Sequence, residues 1–363
     1  MTGKERLIAA LDRKPTDRLP ATTHHVLDYF MDTYMDGRHY LDFFRDMKLD
    51  PIFWVDDWKQ AQQYDDWRIE KEVLPDSQYF TERLYIHTPV KTLQMLIQSN
   101  PYTSWVSEPL IKDKKDIEIL ERYMPAPVAN KQMIQNASAE HPDCLIRGTV
   151  ACLSPLGQPG TWQELTMLYG VEDSIIETYD DPEWVEEALT VIRNKKIQYV
   201  DSLEGCPFDV LELGGGSAST TVISPGIFEE FVAPYDAAII EKMHERGQRV
   251  VYHTCGGMMP ILEQLAEMKP NALETFTPIG MGGDVDLAEA KKRIGDKVCM
   301  IGGFDQGHHL FGCSKDETRK QVRKCFEAAG EGGGFILSPS DHFFDVDLEL
   351  VKVFADEAAN CIY

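Results

Sequence analysis

The chain is poor in basic residues for its acidity: 36 Lys and Arg stand against 60 Asp and Glu, a formal net charge of −24. A field of that sign repels nucleic acid and anionic lipid, so no nucleic-acid or membrane-surface partner is expected. Long apolar runs are also missing. No segment approaches the ~18 uninterrupted apolar residues of a membrane span, and the opening MTGKERLIAALDRK is charged and amphipathic with no apolar h-region. A cytoplasmic protein is therefore expected. Paired cysteine spacing is absent too: Cys144, Cys152, Cys206, Cys255, Cys299, Cys313, Cys325 and Cys361 are scattered, which suits a reducing compartment better than a disulfide framework. Low-complexity linkers and exact repeats are lacking.

What is present is a globular composition, 43% apolar and 26% charged over 363 residues. That length allows two ordinary domains or one large α/β barrel with a sizeable core. The second half alternates short apolar runs with amphipathic stretches. Strand-like runs begin at Asp209 (DVLELGG), Arg249 (RVVYHTCG), Asn271 (NALETFTP), Lys297 (KVCMIGGFD) and Gly334 (GFILSPS). Between them the apolar spacing predicts helices over Pro225–Arg246 behind a Ser224 N-cap, Met259–Met268, Leu287–Ile294 and Asp316–Ala329, with a last one over Leu348–Ala359. Upstream, LIRGTVACL from Leu145 reads as a strand followed by helices at Thr161–Tyr169 and Glu183–Leu203. DRLPATT near Asp17 and PIFWVDDW near Pro51 supply two more strands.

Repeated βα units call for a parallel sheet. With close to eight strands, the expected architecture is a single (β/α)8 TIM barrel over residues 1–363 with N-terminal elaborations; a doubly wound open sheet is the alternative. An aromatic, charge-rich insertion around Gln60–Glu121 breaks the rhythm, and its IHTPVKT and SWVSEPLIK segments suggest a hairpin and a strand edge.

Barrel enzymes carry their chemistry at the C-terminal ends of strands. Here those positions hold Glu212, His253 with Cys255, Glu274, Asp305, and Asp341 with His342. His253-Thr254-Cys255 is the sharpest element. Residues two apart on a strand share a face, so imidazole and thiol project together while Tyr252 and Thr254 point the other way. The pair is a zinc-type donor set, and Gly256-Gly257 behind it lets the backbone turn and approach a bound group. A stable zinc site with an open position needs a third ligand, for which Glu274, Asp341 and His342 are candidates. The pairs His24-His25 and His308-His309 lie in expected loops, where plain hydrogen bonding is the simpler reading. Gly214-Gly215-Gly216-Ser217 fits neither a Walker loop nor GxGxxG, and turn formation accounts for it. Asp305-Gln306-Gly307-His308-His309 fails to match the DxHxxG loop of cobalamin carriers, because Gly307 stands where the aspartate is required.

In these segments the chain resembles the uroporphyrinogen decarboxylase superfamily. The resemblance rests on KERLIAALDRKPTDRLP, IHTPVKT, the LIK from Leu110, ISPGIFEEFVAPYDAAIIEKMHERG, the HTCGG turn, KVCMIGGFD and GGGFILSPS. It implies a single (β/α)8 barrel and one of two activities: metal-free porphyrinogen decarboxylation, or zinc-dependent methyl transfer with a cobalamin held on a separate corrinoid protein. The decarboxylase branch carries an arginine-rich signature, RQAGR, near its N-terminus. Here ATTHHVLDYFMDTYMDG follows Pro20, with no Arg or Lys between Arg18 and Arg38. The methyltransferase branch carries His-x-Cys at a strand end, so the resemblance implies zinc ligation by His253 and Cys255. Its thiol-methylating members have a further Cys after the last strand, where this chain reads Ser338-Pro339-Ser340-Asp341-His342.

The resulting expectation is a zinc site of His253, Cys255 and a carboxylate, Glu274 or Asp341, in a methyltransferase. Its methyl donor would be an ether, a methoxylated aromatic first, and its acceptor the Co(I) corrinoid of a partner protein. Fewer thiolates leave zinc a stronger Lewis acid toward oxygen. Methyl transfer from methylcobalamin to a thiol such as coenzyme M is the alternative, followed by decarboxylation and by a non-catalytic tetrapyrrole- or metal-binding role. Tyr29, Phe30, Trp54, Trp58 and Trp67 are candidates for an apolar substrate pocket, with core packing as the plainer reading. A homodimer is the default oligomer.

Overall fold

The computed structural model describes residues 1–56, 64–75 and 78–363. Its strands, in chain order, are β1 (Ile52–Trp54), β2 (Arg68–Leu74), β3 (Phe80–His87), β4 (Thr92–Ser99), β5 (Ser104–Glu108), β6 (Leu145–Thr149), β7 (Val210–Gly214), β8 (Val250–His253), β9 (Ala272–Thr275), β10 (Cys299–Phe304) and β11 (Phe335–Pro339). Strands β1 and β6 to β11 form one parallel sheet in the order β1-β6-β7-β8-β9-β10-β11. The eighth place is filled by the chain at Pro20–Thr22. Ala21 bridges Leu337 of β11 in parallel, and on its other side its carbonyl accepts from the Asp50 amide at 2.8 Å, just before β1. The sheet thus closes on itself as a (β/α)8 barrel.

Every residue of β7, β9, β10 and β11 is buried, as expected of parallel strands covered on both faces. The helices between them start where a side chain satisfies an otherwise orphaned amide. Ser224 accepts from Ile227 N ahead of Pro225–Glu245, a run that holds a π-turn over Phe228–Val232. Asp286 caps Leu287–Ile294, and Ser314 with Glu317 forms a capping box for Lys315–Ala329. Asp181 caps Pro182–Ser202. A helix over Val171–Asp180 was not foreseen from the sequence.

Strands β2 to β5 form a separate antiparallel sheet in that order. On β3 and β4 alternate residues, Leu84, Ile86, Leu93, Met95 and Ile97, are buried and join the main apolar cluster. The other face is wet, the usual state of such a sheet. Among the described residues no helix is long and apolar enough to cross a membrane.

Candidate active site

Five side chains from five segments meet at the C-terminal mouth of the barrel. β6 supplies Arg147, β7 Glu212, β8 His253 and β9 Glu274, while His24 follows the Pro20–Thr22 segment. Parallel register brings His253 and Glu274 level, since they pair directly across β8 and β9, while Glu212 lies two residues before Gly214, the partner of His253 on β7. Arg147 is 2% exposed and cannot be left alone in a strand interior. It donates from Nη2 to Glu212 Oε2 at 2.6 Å, from Nη1 to Glu274 Oε2 at 3.1 Å, and from Nη2 to Glu274 Oε1. His24 Nε2 lies 2.8 Å from Glu212 Oε2 and 3.3 Å from Glu274 Oε1. His253 Nδ1 lies 3.0 Å from the same Glu274 oxygen.

Electrostatics set the ionisation of the cluster. Burial disfavours charge on Glu212 and Glu274, yet the neighbouring Arg147 and the hydrogen bonds to His24 hold both carboxyls below their ordinary range. Burial likewise opposes a charged His253, but Cys255, Glu274 and Glu212 outweigh it and raise its pKa well above the usual imidazole value. The carboxylates of Glu212 and Glu274 thus sit in a buried network with Arg147 and His253. His25 is pushed the other way, mainly by burial and then by His24. His342 is lowered to about 4 for the same reasons; both rings are neutral at pH 7.

One donor atom from each of His24, Glu212, His253 and Glu274 lies within 4.8 Å of the other three. Nitrogen and oxygen ligands around zinc sit ~2.0–2.2 Å from the ion, so a modest contraction would let one cation meet all of them. These residues fit a divalent transition metal. The expected ligand Cys255 is not among these four; it follows His253 by two residues, past the end of β8.

Three expected positions behave otherwise. Asp341 Oδ1 accepts the amide of His342 at 2.7 Å and stands outside the donor cluster. His342 reaches the site only as a neighbouring ring, 5.2 Å from that of His24. Asp305 turns to cap its own short helix, accepting from His308 N at 3.1 Å, and its carboxylate and carbonyl meet the rings of His308 and His309. Tyr252 points away from the barrel interior, to Asp236 on the helix outside.

The aromatic residues also divide. Phe30 and Trp67 are core, while Trp58 lies outside the described residues. Tyr29 pairs with Tyr102. Trp54 belongs to the site: its ring stacks on His25 at 3.9 Å, lies 4.6 Å from the Arg147 guanidinium carbon, and its indole N–H donates to the His24 carbonyl.

Sequence reasoning missed His24 and Arg147. The signal for Arg147 was there, a lone cation inside the apolar run LIRGTVACL, which must find buried partners. His24 carried a weaker one, its place just past a strand that forms only a single bridge.

Residues 87–360 match the family model for uroporphyrinogen decarboxylase (URO-D). The chain belongs to the uroporphyrinogen decarboxylase family. It is 28% identical over 167 residues to a uroporphyrinogen decarboxylase of Hydrogenovibrio crunogenus, covering 44% of this chain and 43% of that one. It is 27% identical over 155 residues to the methylcobamide:CoM methyltransferase MtaA of Methanosarcina barkeri, covering 42% of each. The chain thus spans less than half the length of either relative. Among solved structures, a methyltransferase from Methanosarcina mazei superposes over 99% of both chains with a TM-score of 0.70 at 18% identity, a likeness of fold. Both branches of the uroporphyrinogen decarboxylase family are represented among these relatives.

Proposed function

We propose that the protein is a zinc-dependent methyltransferase that takes a methyl group from a methyl ether, a methoxylated aromatic first among them, and passes it to the Co(I) corrinoid of a partner protein. The observation that carries the reading is the donor cluster of His24, Glu212, His253 and Glu274, all nitrogen and oxygen, with a single thiol, Cys255, two residues beyond His253. His253, Cys255 and Glu274 would hold the ion, with His24 or Glu212 in reach. Glu274 is preferred to Asp341 because Asp341 is engaged with its own loop. Zinc bound there would supply a Lewis acid for the ether oxygen, and a site with one thiolate keeps more of that acidity than a site with two.

The chain's own residues do the rest. Arg147 fixes both carboxylates, so their oxygens are oriented before any ligand arrives. His253 must surrender its extra proton before it can ligate. Trp54 and His25 wall the mouth next to these donors. In the transfer the methyl–oxygen bond breaks, its electron pair leaves with the oxygen, and the Co(I) pair forms the new bond to carbon.

A porphyrinogen decarboxylase would need free cations for a polycarboxylate. Arg18 pairs with Asp50 at 2.9 Å, Arg38 with Asp46 at 2.8 Å, and Arg147 is balanced by two glutamates. The second reading, methyl transfer from a methylcobamide to a thiol, is favoured by the similarity to the Methanosarcina barkeri enzyme.

The test is to analyse purified protein for metal, then supply reduced corrinoid protein with a panel of methoxyarenes, and separately methylcobalamin with thiols, following the cobalt absorbance. Ether-dependent methylation of Co(I) supports the proposal. Thiol-dependent loss of methylcobalamin alone would replace it by the second reading.

A further inference from the structure

Two turns at the barrel mouth interlock, the Gly214–Thr221 stretch after β7 and the Cys255–Gly257 turn after β8. Gly215 N donates to the His253 carbonyl at 2.8 Å, Thr220 N to the Gly257 carbonyl at 2.8 Å, and Gly257 N to Thr221 Oγ1 at 2.7 Å. Where one turn has a side chain the other has a bare α-carbon. A Cβ on Gly256 would lie 2.6 Å from Thr221 Oγ1, and one on Gly257 2.5 Å from Thr220 Oγ1. The relation also runs the other way: a Cβ on Gly216 would lie 2.9 Å from Cys255 Sγ, well inside the ~3.5–4.0 Å of ordinary non-bonded contact.

The backbone does not ask for glycine at this point. Gly214 and Gly215 have φ of 100° and 157°, whereas Gly216 opens the 3₁₀ turn Gly216–Ala218 without a positive φ. Nor is the stretch an anion cradle. The Gly215 amide is taken by His253, the Ser217 amide by Gln163 Oε1 at 2.6 Å, and those of Ala218 and Ser219 by Gly215 and Gly216 carbonyls. What Gly216 leaves open is room for one atom, the thiol sulfur.

We infer that Gly216 is a positioning residue for Cys255: its missing side chain is the seat of the thiol, and keeps Sγ on the His253 side of the turn, next to the donor cluster. The inference rests on Cys255 being a donor, as proposed above. Alanine at 216 is admissible to the backbone and forces the sulfur out of that seat.

The experiment is a double-mutant cycle of Gly216→Ala and Cys255→Ala with two readouts. In metal-free protein, G216A should lower Tm by about 2–6 °C when Cys255 is present, and by less than about 1 °C in the C255A background. Equal losses in both backgrounds would overturn the inference. If G216A does not fold, recovery of folding in G216A/C255A supports it, and failure of both variants overturns it. The second readout is the thiolate-to-cobalt charge-transfer band after titration with cobalt(II) chloride. It should be at least threefold weaker in G216A than in the unmodified protein; an unchanged band overturns the inference. If the unmodified protein shows no band at all, the functional reading fails, and the metal-free cycle still decides the role of Gly216.

Discussion

His24 and Glu212, 188 positions apart in the chain, meet at 2.8 Å across the barrel mouth. The contact joins a histidine beside the first barrel segment to a strand-end carboxylate on β7, and draws into the donor cluster a residue that sequence reasoning had set aside.

His24→Ala should therefore weaken zinc binding about 10- to 100-fold, the scale seen when a ligand or its hydrogen-bonding partner is lost. Asp341→Ala should change it less than about twofold, its carboxylate being spent on a loop amide. Isothermal titration of metal-free protein with zinc makes the comparison; a larger loss in D341A than in H24A would reverse the assignment.

Arg147 and a metal ion would neutralise the same carboxylates. Replacing Arg147 with Met leaves Glu212 and Glu274 buried with one cation fewer, a loss on the order of 3–5 kcal/mol in the metal-free protein. Zinc should then raise Tm more in R147M than in the unmodified chain. Equal zinc-induced shifts would mean that the carboxylates are not shared.

The raised pKa of His253 sets the pH dependence of metal binding. A protonated imidazole cannot ligate, so at any pH below that raised pKa the metal must displace a proton. Apparent zinc affinity should climb with pH past the ordinary imidazole value of 6.5, by up to about tenfold per unit for this one proton. His253→Gln should bind more weakly and flatten the slope by about one proton. A slope identical in both proteins would remove His253 from the ligand set.

Away from the donors, Lys196 and Glu164 form a fully buried ion pair at 3.0 Å. Lys196 also donates to the Ala151 and Gln158 carbonyls, while Glu164 accepts the Leu153 and Ser154 amides, so the loop after β6 is wrapped around the pair. Lys196→Met alone should cost about 3–5 kcal/mol in urea unfolding by stranding a carboxylate. The double variant with Glu164→Leu should regain part of that. Full stability in K196M would contradict the pairing.

The barrel was legible because its strands are buried on both faces, so that apolar period and Gly-bearing turns mark each βα unit, and because Ser224 signals one helix start; the caps at Ser314 and Asp347 are seen in the structure. Less legible was the inserted sheet. β2, RIEKEVL, is mostly exposed and charged and gives no alternation to read, whereas β3 and β4 keep one apolar face. In the site, His253 and Glu274 stand on strands, which fix which residues share a face, and they fall in the donor cluster; Cys255 lies past the end of β8 and outside that cluster. Asp341 and His342 lie past the end of β11, where no such periodicity constrains direction, and the loop turned Asp341 onto its own backbone. His24 depended on barrel closure, a long-range event that local spacing does not encode.

The measurement that bears most directly on the central claim follows the methyl group itself. Zinc-loaded protein is incubated with a reduced corrinoid protein and a methoxyarene carrying a deuterated methyl group, and the corrinoid is analysed by mass spectrometry. The account predicts a trideuteromethyl corrinoid and an equal amount of free phenol, both lost in His253→Ala and Cys255→Ala. A corrinoid that stays unmethylated with every ether offered, while the same zinc-loaded protein demethylates methylcobalamin in the presence of a thiol, would contradict it.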